Sequence, residues 1–160
     1  MSQSGGNNNR QSAEALARES LVIFLRESLA YCKSDSLSEG GLRERIERLT
    51  PNNNPKIGYK LFNVACRNER VNEGIIRCLL EYFPDAASAN DDDDGCTPLH
   101  YACGNKNITL NIVQLLIDAA PTTVRHVNNK GRMPLHILCG NKKLDEIIAK
   151  EILKLLIEKC

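Results

Sequence analysis

Residues 90–103, NDDDDGCTPLHYAC, set four consecutive aspartates next to Cys96, His100 and Cys103. Those side chains could serve as a calcium loop, a soft-metal site or a nucleophile with its base. A calcium loop of the helix–loop–helix kind needs oxygens at alternating places, glycine at the sixth and a bidentate acid at the twelfth. Counted from Asn90, Asp92, Asp94 and Gly95 fall into place, but the twelfth residue is Tyr101, and Pro98 and Leu99 already open a helix. Cys96, His100 and Cys103 would present two or three ligands from one helical turn, whereas a structural zinc site takes four. Cys103 follows His100 by one turn, which would bring a thiol near a base, but a thiol nucleophile also needs activation to the thiolate. A second copy of the string carries Arg132, His136 and Cys139 at the same places, so the first cysteine is lost while His and Cys recur together. Recurrence argues for packing over a unique reactive centre. No glycine-rich phosphate cradle and no separated carboxylate pair stands elsewhere. The expectation is a chain with no catalytic residue, no metal and no cofactor.

The whole chain frames that expectation. Its 160 residues suit one domain, its 42% hydrophobic content can build a core, and that core is aliphatic because tryptophan is absent. A formal net charge of +1 gives no electrostatic argument for nucleic acid or membrane as the main partner. The N-terminal MSQSGGNNNRQS lacks the apolar stretch of a secretory signal, and the run Leu21 to Leu25 is far too short to span a bilayer. The expected setting is intracellular and soluble, cytoplasmic with the nucleus left open. Seven cysteines, an odd number, then read as thiols. The Asn107-Ile108-Thr109 sequon reads as chance.

Residues 1–11 are Ser, Gly, Asn and Gln rich and form an expected disordered tail, followed by an N-terminal helical segment over 12–54. After Ser12, a candidate cap, Leu16, Ala17, Leu21, Phe24, Leu25 and Leu29 share one helical stripe. The polar break SDSLSEGG precedes LRERIERL, where Leu42, Ile46 and Leu49 recur at helical spacing and Arg43, Glu44, Arg45, Glu47 and Arg48 make a face expected to be solvated. TPNNNP at 50–55 ends that helix.

Beyond it the chain repeats. GCTPLHYACGNKN (95–107) and GRMPLHILCGNKK (131–143) share Gly, Pro, Leu, His, Cys, Gly, Asn and Lys at an offset of 36 residues. Each is followed by an aliphatic helix, NIVQLLIDA (111–119) and KEILKLLIEK (150–159), and a weaker copy lies upstream in GYKLFNVACRN and GIIRCLLEYFPDA. The unit is helix, turn, helix and a loop to the next glycine. Thr97 can cap its first helix, Pro98 suits the first helical position, and Gly95 supplies backbone freedom to the turn before it. Ile112, Leu115 and Leu116 give the second helix its buried face, matched by Ile75, Cys78 and Leu79 upstream and by Ile152, Leu155 and Leu156 downstream.

This unit resembles the ankyrin repeat. Thr97-Pro98-Leu99-His100-Tyr101-Ala102 matches the T-P-L-H-x-A signature closely, Met133 to Leu138 partly, and Lys60 to Ala65 is degenerate. The resemblance spans about 55–160 and implies an all-α, ankyrin-type α-solenoid with an N-terminal helical extension, its repeats near 55–91, 92–127 and 128–160. It implies that His100 and His136 tie backbone, and that Cys66, Cys103 and Cys139 occupy a small buried position. The implied function is a protein-interaction scaffold that binds a protein partner through loop tips and the exposed side of the first helices. Carried over by position, the binding residues are Lys56, Tyr59, Arg67 and Asn68 in the weak repeat. The best repeat gives Asp93, Asp94, Cys96, Tyr101 and Asn105 beside Gly104, and the last gives Asn129, Lys130, Arg132 and Asn141 beside Gly140. An acidic patch then sits between two basic ones, with Tyr59 and Tyr101 as aromatic anchors.

Three departures from the pattern carry expectations. Met133 stands where threonine would cap, a loss of about 1 kcal/mol. FPDAASAND and APTTVRHVN replace the family's short turn and match each other. The last aliphatic helix lies at Cys160 with no polar capping repeat after it, so self-association or fraying over 144–160 is expected. The rival readings are a metal- or redox-responsive Cys/His protein and a purely structural array.

Overall fold

A computed structural model describes residues 19, 22–23, 26–49 and 55–160, without the side chains of Leu49, Pro55 and Lys56. The expected tail, the cap at Ser12, the stripe residues Leu16, Ala17, Leu21, Phe24 and Leu25, and the turn at 50–54 lie outside the described residues.

Helix α1 ends in the stretch 26–33, where Leu29 packs on the core and Cys32 is buried. Helix α2, Glu39–Leu49, buries Leu42 and Ile46 as their spacing predicts. It starts before Leu42 and so takes in residues expected in the polar break. The Ser38 Oγ accepts the Gly41 N–H at 3.3 Å, and its carbonyl accepts the Leu42 N–H at 3.0 Å. A serine cap thus offsets the poor helix propensity of two glycines.

The charged face of α2 is only partly solvated. Arg43 makes a two-pronged pair with Glu81, at 3.1 and 2.9 Å, and Tyr82 donates its hydroxyl to Glu47 at 2.5 Å. Both partners belong to α4, Glu73–Tyr82. These bonds register α2 against α4, while the partial exposure of the ion pair keeps its contribution small.

Five further helices complete two layers: α3 (Pro55–Arg67), α5 (Pro98–Gly104) and α7 (Pro134–Gly140) pack one on the next, and α2, α4, α6 (Leu110–Ala119) and α8 (Glu146–Lys159) form the second row. Caps start the second helices. Asn72 accepts the Ile75 N–H, Thr109 that of Ile112, and Asp145 those of Ile147 and Ile148. The threonine of the apparent sequon is therefore a helix cap. Ile75, Cys78 and Leu79, Ile112 and Leu116, and Ile152 and Leu156 are buried between the layers; Leu115 and Leu155 are half-buried. No helix pair closes this surface alone, so each repeat draws its core from its neighbours.

The two loops that depart from the short-turn pattern each fold into a 3-10 turn, Pro84–Ala87 and Pro121–Arg125, opened by proline at the first position. They bury Ala86 and Ala87, and Thr123 and Val124, which explains their apolar character.

An asparagine ladder ties the repeats in series. Asn105 donates its amide to the carbonyls of Cys66 and Asn68, both at 2.8 Å. Asn141 reaches Cys103 and Asn105 at 3.1 Å, and Asn68 reaches Cys32 and Ser34 at 2.8 and 2.9 Å. Each asparagine also accepts the N–H two residues on with its own Oδ1, and Ser34 does the same for Ser36 with its hydroxyl. The rung joining α1 to α3 therefore has the geometry of the rungs between later repeats.

Cys139 corrects one expectation. Cys66 and Cys103 are fully buried, but Cys139 is exposed, because nothing among the described residues covers the far side of α7 as α7 covers α5.

Candidate interaction groove

The loops before α5 and α7 each close into a finger. In the first, the Asp91 N–H bonds the Cys96 carbonyl at 2.9 Å and the Gly95 N–H bonds the Asp91 carbonyl at 2.8 Å. In the second, the Asn128 N–H bonds the Arg132 carbonyl at 2.9 Å, and its Oδ1 accepts the N–H groups of Lys130 and Arg132. Gly95 and Gly131 take φ of 67° and 70°, the left-handed region that makes glycine the fitting residue at both turns. The fingers are joined: the Asn129 N–H donates to the Asp94 carbonyl at 3.0 Å and its side-chain amide to that of Asp93 at 3.2 Å.

Under the first finger, Tyr101 donates its hydroxyl to Asp94 and Asp91, all at 3.0 Å. The Arg67 guanidinium lies 3.9 Å above the tyrosine ring and 3.8 Å from the Asp94 carboxylate. Burial works against the charged form of Asp94, yet hydrogen bonds from the Cys96 backbone and the Tyr101 hydroxyl, with the Arg67 charge, hold its carboxyl below the usual range. Burial and the two carboxylates push Tyr101 up, so its hydroxyl stays a donor.

His100 shows how α5 is fixed. Its Nδ1 accepts the Thr97 N–H at 3.1 Å and lies 2.9 Å from the Thr97 hydroxyl. Accepting there leaves the ring proton on Nε2, which donates to the Arg132 carbonyl at 3.0 Å. Both ring nitrogens are thus committed to structure. In α7, His136 repeats the first bond to the Met133 N–H at 3.0 Å. Cys96 accepts the Asn128 amide at 3.2 Å, and burial pushes the Cys103 thiol up to about 12. A buried, protonated thiol beside a histidine whose nitrogens are engaged is poorly suited to attack or ligation.

Between the fingers and helices α5 and α7 lies a recess of about 330 Å³, lined by Arg67, Asp94, Tyr101, Lys130, Arg132 and Ile137 among others. A second of about 460 Å³ shares Gly104, Arg132 and Ile137 with it and continues to Lys142 and Lys143. The two form one groove running across two repeats.

The anticipated binding residues divide accordingly. Arg67, Asp94, Lys130 and Arg132 meet in the groove, and Asp93 and Asn129 are exposed at the fingers. Tyr59 and Tyr101 are corrections, since at 8% and 9% exposure they belong to the core and cannot act as surface anchors. Cys96 and Asn105 are buried as well, Cys96 under Asn128 and Asn105 in the ladder. Asn68 and Asn141 spend their amides on the ladder. The Lys56 side chain lies outside the described ones. Lys142, Lys143 and Ile137 were not anticipated; the repeated G-N-K string contained the signal, but in the earlier copy Lys106 pairs with Glu69 at 2.8 Å.

The model for ankyrin repeats (three copies) matches residues 36–123, more than half of the chain. The chain belongs to the ankyrin-repeat family. The matched span takes in α2 and stops in the second 3-10 turn, while the ankyrin ladder continues into α7 through Asn141. A comparison with curated proteins returned no match. Ankyrin repeats are in general protein-interaction modules and typically non-catalytic. Among the described residues no helix is long and apolar enough to cross a membrane.

Proposed function

We propose that this ankyrin chain is a scaffold that binds a protein partner across the groove and finger tips, without catalysis. The supporting observation is preorganisation: a continuous recess spans two repeats, and its fingers are locked to each other through Asn129 and Asp94. A rigid surface loses little conformational entropy on binding. The contact residues are Arg67, Asp93, Asp94, Asn129, Lys130 and Arg132. The α1–α2 pair is a repeat of the same stack rather than a separate appendage, supported by the Ser34 rung of the ladder. A reducing, cytoplasmic setting suits seven free cysteines, five of them buried. The exposed Ile147 and Ile157 of α8 support self-association there, measurable by sedimentation.

An interaction screen with the intact protein tests the binding surface. Partners recovered by the wild type should be lost on charge reversal at Asp93, Lys130 and Arg132. Partners indifferent to all three would defeat the assignment. Stoichiometric zinc in protein purified without chelator, lost on Cys103→Ser, would instead favour a metal-responsive protein.

A further inference from the structure

Resting on the interaction-module reading above, we infer that the groove takes a carboxylate-rich segment of the partner protein, an acidic peptide laid across α5 and α7. The argument is the distribution of unpaired charge. Lys106, Lys150 and Lys154 each have a carboxylate partner on the surface. Lys33, Lys60, Arg70, Arg125 and Lys159 are exposed cations that make no ion pair among the described residues, and they stand outside the recesses. Among the described residues, Lys130, Arg132, Lys142 and Lys143 have none, and all four line the two joined recesses. Arg67 adds a fifth cation at the rim of the first recess. The single lining carboxylate, Asp94, already accepts from the Cys96 backbone and Tyr101 and lies beside Arg67. Asp92 and Asp93 are exposed at the finger but do not line the recess. A chain of net charge +1 therefore concentrates positive potential in one concavity, where low-dielectric walls strengthen it.

The floor suits a peptide. Gly104 lies where the recesses meet, and a Cβ built there would lie 3.5 Å from Ile137 Cγ2, an ordinary contact. The absent side chain leaves a shallow strip beside an isoleucine methyl, room for a backbone with an aliphatic side chain between acids. A nucleic-acid strand fits less well. Its bases need exposed aromatic faces to stack on, and the only aromatic ring of Phe, Tyr or Trp in the lining, Tyr101, is already covered by Arg67.

Random dodecapeptides displayed on phage and selected on the full 160-residue protein at low salt provide the probe. Selected sequences should be enriched in Asp and Glu. The best one, synthesised with a fluorescein label, should bind with a Kd that rises about tenfold or more in Lys130→Glu with Arg132→Glu. Gly104→Leu, which fills the strip without changing charge, should weaken it similarly. Lys154→Glu, on the exposed side of α8, should leave it unchanged, and thermal melts confirm that each variant folds. Selected peptides without acidic excess, or acidic peptides indifferent to the groove variants, overturn the inference and leave the interaction-module reading standing. A labelled oligothymidylate that binds more tightly than the acidic peptide at the same salt overturns it in favour of nucleic acid. A selection yielding no binder of any sequence, with no partner in the interaction screen, defeats both.

Discussion

Helices α5 and α7 share a Pro-Leu-His start and a Cys-Gly end, and their histidines make the same bond to the N-cap backbone at 3.1 and 3.0 Å. Their surroundings are opposite. Leu99, His100 and Cys103 are buried between two neighbouring helices, whereas Leu135 is half-buried and His136 and Cys139 are exposed. The motif dictates local geometry, and position in the stack dictates burial. An identical residue can therefore be a core element in one repeat and a surface group in the next.

Thiol chemistry should separate the two most widely. Cys139 should react with an aromatic disulfide reagent at the rate of an exposed thiol, and Cys103 slower by about three orders of magnitude or more, through opening of the fold. Comparable rates would break the comparison outright. Packing should give the next largest contrast in urea unfolding: Leu99→Ala should cost about 2–5 kcal/mol and Leu135→Ala about 1 kcal/mol. The ladder sharpens the same point. Asn105→Ala leaves the carbonyls of Cys66 and Asn68 without their donor and should cost about 2 kcal/mol, while the half-buried Asn141→Ala should cost less than about 1 kcal/mol.

The smallest effect is in pH. Burial lowers the His100 pKa, partly opposed by the Arg132 carbonyl and reinforced by His126. The unfolded chain takes up a proton near pH 6.5 while the folded one resists it, so the stability from neutral His100 is complete above that pH. It is lost as pH falls through the lower folded pKa. Unfolding curves between pH 7.5 and 5 should show this loss, and His100→Asn should flatten it. An unaltered slope in the variant would assign the pH dependence to other groups.

The pairs α5–α6 and α7–α8 were legible because Pro98, Pro134 and the aliphatic triplets carry helix starts and periods in local sequence. The ladder was not. Asn68, Asn105 and Asn141 each follow a cysteine by two residues, but their partners lie 34 to 39 residues away, so a polar residue at a helix end reads equally as surface. Tyr101 misled for a related reason. Its hydroxyl is satisfied by Asp91 and Asp94, which allows a polar tip in a buried position. The Arg43–Glu81 pair likewise depends on a helix 38 residues away. Within the aspartate run, only the fold distinguishes Asp94, held in the groove by Tyr101, from Asp93 exposed at the tip.

The asparagine ladder also gives the stack a mechanical direction. Every amide points from its own repeat back to the one before it, so each junction is crossed by the same pair of bonds in the same sense. Tension along the stack loads these junctions in series, and the rung at Asn141, half-buried where the Asn105 rung is buried, is the weaker of the two. Pulled between its ends in an optical trap, the protein should peel from α7 and α8 first, shedding repeats one at a time.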